Sequence, residues 1–169
     1  MQRKAVLVIA FFIVIKTCEK RQKSRLERKI NMKQVNILLK SNGELKRIIT
    51  DKKMSVNEYT DILNCDYIDI KGLKLDELNL NISLVFDDEF LFTDKAINKK
   101  ASVLFGYKQH EEVLCGDVLV QKDIETPEGI IAVGFNEEEA TVIEAYIENL
   151  KYEHIKFIKQ EPCAKFIPF

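Results

Sequence analysis

Val35-Asn36-Ile37-Leu38-Leu39-Lys40-Ser41-Asn42-Gly43-Glu44-Leu45-Lys46-Arg47-Ile48-Ile49-Thr50 reads as two apolar runs folded back on one another. Asn-Gly between such runs is the strongest short hairpin signal, because both central positions of a type I′ turn need positive φ. The pattern predicts strands over 35–39 and 45–50, joined at Ser41-Asn42-Gly43-Glu44.

Working outward, Ser55-Val56-Asn57-Glu58 is a capping box opening a short helix, with Val56, Tyr59, Ile62 and Leu63 on one face. Tyr67-Ile68-Asp69-Ile70 alternates as a short strand. Ile82, Leu84 and Phe86 alternate into the acidic turn Asp87-Asp88-Glu89, and Phe90-Leu91-Phe92 is expected to return as a second hairpin. Thr93 or Asp94 is expected to cap a helix that buries Ile97, Ala101, Leu104 and Phe105 and turns Lys95, Lys99 and Lys100 to water, with Gly106 as its stop.

Residues 113–120 and 130–133 are the most strand-like runs, with Thr126-Pro127-Glu128-Gly129 as the turn between them. The second run is apolar throughout, which predicts a central strand. Asn136 before Glu137, Glu138 and Glu139 marks a helix start, an N-cap with acids against the dipole. Ala140, Ile143, Ile147 and Leu150 form its buried stripe, and a last strand is expected over 155–159. Hairpins dominate and helices are few. The fold class is therefore α+β, a mainly antiparallel sheet with about three short helices in one small domain.

Charge divides the chain at Asn31/Met32. Residues 1–31 carry nine Lys/Arg against two acids, a net of +7, while residues 32–169 carry seventeen against twenty-five, a net of −8. Residues 5–15 are an unbroken apolar run that as a helix spans roughly 16 Å, half the hydrocarbon thickness of a bilayer. The basic cluster from Lys16 to Lys29 argues against export. Two regions are expected, an N-terminal extension over 1–31 and a globular domain over 32–169. Met32 reads as the true start, with codons for Arg28-Lys29 suited to a ribosome-binding site. A membrane or lipid-surface anchor and a genuine basic arm are the other readings of the extension.

The acidic body opposes phosphate backbones, and its single arginine, Arg47, further weakens a nucleic-acid role. Cys18, Cys65, Cys115 and Cys163 lie far apart, with no CxxC and no Cys/His pair at ligand spacing. They read as small apolar residues of a reducing cytoplasm, not as a zinc site or a disulfide framework. Glycine-rich phosphate loops are missing, and no cofactor is implied.

Five residues are candidates for binding. Asp87 and Asp88, with Glu89, offer the oxygens a hard divalent cation wants, but a hairpin tip favours the same residues merely as solvated turn formers. Asn98 suits a hydrogen bond to a ligand or, more commonly, to backbone. Asp117, after Gly116 in a strand, resembles a bulge whose carboxylate accepts local backbone N–H groups, and a general base is the competing reading. His110 lies in the polar loop over 107–112; together with His154 it titrates near neutral pH, and a Cys115–His110 nucleophile pair is conceivable.

Residues 87–135 carry a resemblance. Asp87-Asp88-Glu89-Phe90-Leu91, then Asn98-Lys99-Lys100-Ala101-Ser102-Val103-Leu104, then Cys115-Gly116-Asp117-Val118-Leu119-Val120, then Gly134-Phe135 is similar to a bacterial and phage domain-of-unknown-function family, thirty-eight forty-six in the usual series. The resemblance implies a small cytoplasmic protein typical of phages, plasmids and other mobile elements, and it carries over no catalytic residue.

The sequence thus leads to a non-enzymatic accessory protein that binds another macromolecule, its acidic body suited to a basic protein surface. A small-ligand binder or sponge for a nucleotide-like molecule is the second reading. An enzyme is the third.

Overall fold

The computed structural model describes residues 33–107, 113–127, 129–153 and 155–158. The extension over 1–31, His110, His154 and Lys159 therefore lie outside the described residues.

Among the described residues six strands and three helices follow in the order β1 (Gln34–Leu39), β2 (Leu45–Thr50), α1 (Val56–Leu63), β3 (Ile68–Leu75), a 3₁₀ turn (Asp76–Leu78), β4 (Leu80–Asp87), α2 (Lys99–Phe105), β5 (Val118–Thr126), β6 (Gly129–Val133) and α3 (Glu137–Glu148). Every ladder is antiparallel, in the order β2-β1-β5-β4-β3. The α+β class is as expected.

The β1–β2 hairpin forms with Leu39 opposite Leu45, but its turn is not the mirror-image one. Of its residues only Gly43 has positive φ, at 88°. Gly43 N–H donates to Lys40 C=O and Lys40 N–H to Glu44 C=O, so Ser41, Asn42 and Gly43 form a three-residue loop with glycine at the left-handed bulge position. Asn42 takes a different part, its Oδ1 accepting from Glu44 N–H at 3.0 Å.

The second hairpin lies elsewhere than expected. β4 pairs along its whole length with β3, through the 3₁₀ turn and Asn79 in the left-handed conformation. Phe90-Leu91-Phe92 does not return as a strand. Phe90 folds back edge-on against Phe86, centroids 5.7 Å apart, and that apolar contact replaces a ladder.

The apolar run over 130–133 is not a central strand. β5 takes β4 on one side, and on the other it takes first β1, through Val118–Val120, and then β6, through Lys122–Thr126. β6 thus follows β1 end to end along one flank of β5 and, among the described residues, pairs with no other strand, apart from the Val35–Phe135 bridge just beyond it. At that crossing a Cβ on Gly134 would lie 2.6 Å from Gln34 Cβ and 3.0 Å from Val35 N, so only glycine lets the two segments pass.

Helices cover both faces of the sheet. On one, α2 and α3 bury Val35, Ile37, Leu39, Ile82, Leu84, Phe86, Val118, Val120 and Phe135 with Ala101, Ala140, Ile143 and Ile147. On the other, α1 packs Tyr59 and Leu63 over Leu38, Val85 and Leu119. Both longer helices start as their caps predict. Ser55 and Glu58 complete one capping box, and Asn136 and Glu139 the other. Val56, expected on the buried face of α1, is 63% exposed, and Tyr59 and Leu63 are the residues the helix buries. α2 begins at Asn98, not at Thr93 or Asp94, and Ile97 instead bridges to Cys115. Residues 155–158 form no strand. Tyr107 packs on Phe157 and donates to Lys156 C=O at 2.7 Å, which fixes that segment by side chains.

Candidate functional site

Three of the five candidate residues converge on one end of the sheet, and each holds the fold. Asn98 is fully buried. Its Nδ2 donates to Leu39 C=O at 2.9 Å and Gly116 C=O at 3.0 Å, and its Oδ1 accepts from Ala101 N–H at 3.1 Å. One amide thereby caps α2 and ties it to the end of β1 and to the Gly116 kink. Both amide hydrogens are thus spent on the fold's own carbonyls, which leaves no donor for a ligand.

Asp117 Oδ1 accepts from Ser41 N–H at 2.9 Å. The partner is backbone, as a bulge aspartate would choose, but it belongs to the distant β1–β2 loop. The strand breaks at Gly116, whose φ is 84°, so β5 starts at Val118 and not at Val113.

Asp87 is not a solvated tip residue. It is 3% exposed. Its Oδ1 accepts from Glu89 N–H, and Oδ2 pairs with Lys95 Nζ at 2.8 Å. Lys95, expected in water, also donates to the Leu63 and Asn64 carbonyls at the end of α1. A carboxylate in such a place needs a paired cation, and Lys95 supplies it. Asp88 is exposed, its N–H donating to Tyr67 C=O. Among the described residues no three carboxylate, Cys or His side chains come together as a metal site. Nearby Cys65 has its thiol pushed up by burial and by Asp87, against the lowering effect of Lys95, so it is a poor nucleophile. Cys115 is buried.

Arg47 is engaged as well. Its guanidinium forks onto Glu144 at 2.8 and 2.6 Å and reaches Glu137 Oε2 at 2.8 Å and Thr141 Oγ1 at 3.1 Å. It clamps β2 to α3 with the bidentate geometry that would otherwise suit a phosphate.

The polar groups that sequence reasoning missed lie on the α1 face. Tyr59 Oη donates to Gln121 Oε1 at 2.9 Å, and Gln121 Nε2 donates to Asn36 Oδ1 at 2.6 Å, with Met54 Sδ 3.8 Å away. Asn36 Nδ2 donates onward to Thr50 Oγ1 at 3.1 Å and Ile48 C=O at 3.3 Å. This chain crosses β2, β1 and β5 under the start of α1. Burial pushes the Tyr59 hydroxyl pKa up, against its bond to Gln121, so it remains a neutral donor.

Beyond Gln121 the helix no longer covers the sheet. Ser83 Oγ donates to Asp123 Oδ1 at 2.6 Å, and burial pushes the Asp123 carboxyl above its ordinary range, against the opposing effect of that bond. Its Oδ2 leans across β4 to 3.4 Å from where a Cβ on Gly72 would stand. Alternation places Ile70, Gly72 and Lys74 of β3, Asn81 of β4, Glu125 of β5, and Ile130 and Ala132 of β6 on this same face. Ile70 and Ile130 are 47% and 69% exposed. The signal that could have found this patch was the pairing Asp123↔Ala132, which needs the β5–β6 register and not the sequence pattern alone.

No family model, curated protein or solved structure matches the chain. Among the described residues no helix is long and apolar enough to cross a membrane.

Proposed function

We propose that the protein is a small accessory protein of a phage or other mobile element, of the kind the resemblance implies, and that it acts by binding another protein without catalysis of its own. The observation that carries this reading is the uncovered half of the α1 face. Four neighbouring strands, β3, β4, β5 and β6, present Lys74 paired with Asn81 and Asp123 paired with Ala132, with Ile130 one row beyond and Gly72, then Ile70, on the side nearer α1. Their breadth is roughly 15 Å. A broad, ordered surface with apolar residues flanking a carboxylate suits a protein partner better than a small molecule. The net of −8 over residues 32–169 favours a basic partner.

The test is quantitative capture from the source cells with wild type and with an Ile70→Lys, Gly72→Lys double variant, alongside release of bound small molecules by heat. The reading expects one protein held by wild type, at least tenfold less by the variant, and released by added salt. A nucleotide-sized molecule released on heating, with no protein retained, would replace it by the ligand-sequestering alternative.

A further inference from the structure

We propose that the outer edge of β6 accepts an extended, lysine-bearing strand of the partner, so that recognition proceeds by sheet extension; the inference rests on the protein-binding reading above and names its surface and partner chemistry. Among the described residues three strands have an open flank, and they differ in how that flank is protected. β2 carries Lys46 and Arg47, and β3 carries Asp69, Lys71 and Lys74. Such charges are what keep edge strands from pairing with other chains. β6 reads Gly-Ile-Ile-Ala-Val, with no charge and no proline, and Ile130 stands 69% exposed. Among the described residues β6 pairs only with β5, so every second backbone N–H and C=O along it points away from the sheet. An uncharged strand with an open edge is a template for one more strand.

Charge selects the occupant. Glu125 lies directly across from Ile130, and Asp123 across from Ala132, both on the same face. The cation on that stretch of β5, Lys122, is neutralised by Glu139. Among the described residues neither Glu125 nor Asp123 has an ion-pair partner. A strand added outside β6 lies two strand spacings, roughly 10 Å, from β5, within reach of a lysine stem extending over Ile130 toward the Glu125 carboxylate. A second copy of this chain would bring Glu125 and Asp123 toward their own counterparts, which like-charge repulsion opposes.

The experiment uses the full chain and two capped eight-residue peptides, one alternating valine with lysine, the other valine with glutamate. Binding is measured by titration calorimetry at low and high salt, against wild type, Ile130→Lys and Ile130→Glu. Because Ile130 is exposed, both variants are expected to melt with wild type, and melting curves check this. The lysine peptide should bind wild type at least tenfold more tightly than the glutamate peptide. Ile130→Lys should lose at least tenfold, and Ile130→Glu should bind the lysine peptide as well as wild type or better. Equal binding of both peptides, or a lysine peptide indifferent to Ile130→Lys, would overturn the proposal. So would a dimer, seen by sedimentation, that Ile130→Lys dissolves. If a captured protein partner is held by wild type and by Ile130→Lys alike, the edge assignment fails while the protein-binding reading stands; if no protein is held by wild type, both fail.

Discussion

On the side of the sheet where α2 and α3 pack, the strands bury an unbroken apolar layer from Leu39 and Val118 through Ile82 to Phe135. On the opposite side α1 covers Leu38, Val85 and Leu119, and past Gln121 the same strands turn polar and emerge. The difference follows from length. Two helices, one of twelve residues, close the first face, whereas the eight-residue α1 spans only part of the second. What is left open is ordered by the closed face beneath it. Among the described residues, one side of the sheet therefore supplies the continuous packing, and the other keeps exposed positions such as Ile70 and Ile130.

If that contrast is correct, removing bulk from the closed side should do the greatest damage. Phe135→Ala leaves a cavity beneath α3 and should cost about 4 kcal/mol in urea unfolding. A loss below about 1 kcal/mol would show that the layer is not the main source of stability. Next comes Asn98→Ala, which removes the cap of α2 and strands the Leu39 and Gly116 carbonyls, for about 3 kcal/mol. Arg47→Met should cost less, and the loss should shrink as salt is added, because its ion pairs are largely solvated.

The smallest stability effect belongs to the open side, and its sign is specific. Folding raises the Asp123 pKa, so the folded state holds this proton more firmly than the unfolded chain. The contribution of Asp123 is therefore complete below the ordinary aspartate pKa and is lost as pH rises through the raised value. Asp123→Asn keeps an acceptor for Ser83 and carries no charge. Its melting temperature should match wild type in acid and exceed it slightly at neutral pH. A variant less stable than wild type at neutral pH would mean that the carboxylate is held by something favourable on this face.

The same contrast explains what could be read from the chain. Local signals were legible. The Asn-Gly loop, the Ser55–Glu58 and Asn136–Glu139 capping boxes, and the Ala140-Ile143-Ile147 stripe each depend on residues a few positions apart. Non-local choices were not. Ile130 to Val133 reads as a central strand because apolar content shows affinity for burial, not which neighbour supplies it, and here β1 already occupies the flank of β5 up to Val120. Asp87 and Lys95 looked solvated because each is polar among polar neighbours, and only the fold sets one beside the other. Of the candidate site residues, Asn98 and Asp117 were singled out correctly as unusual, but their partners, Leu39, Gly116 and Ser41, make them braces. The open patch escaped notice because Asp123 and Ile130 acquire meaning only from the β5–β6 register.

The most direct measurement is amide hydrogen exchange of Gly129–Val133 in the full chain, with and without the valine–lysine peptide. Alternate amides of this strand should exchange much faster than those of β5 in the free protein and slow at least tenfold when the peptide is bound. Amides uniformly protected before any peptide is added, or fast ones that the peptide leaves unchanged, would contradict an edge held open for a partner.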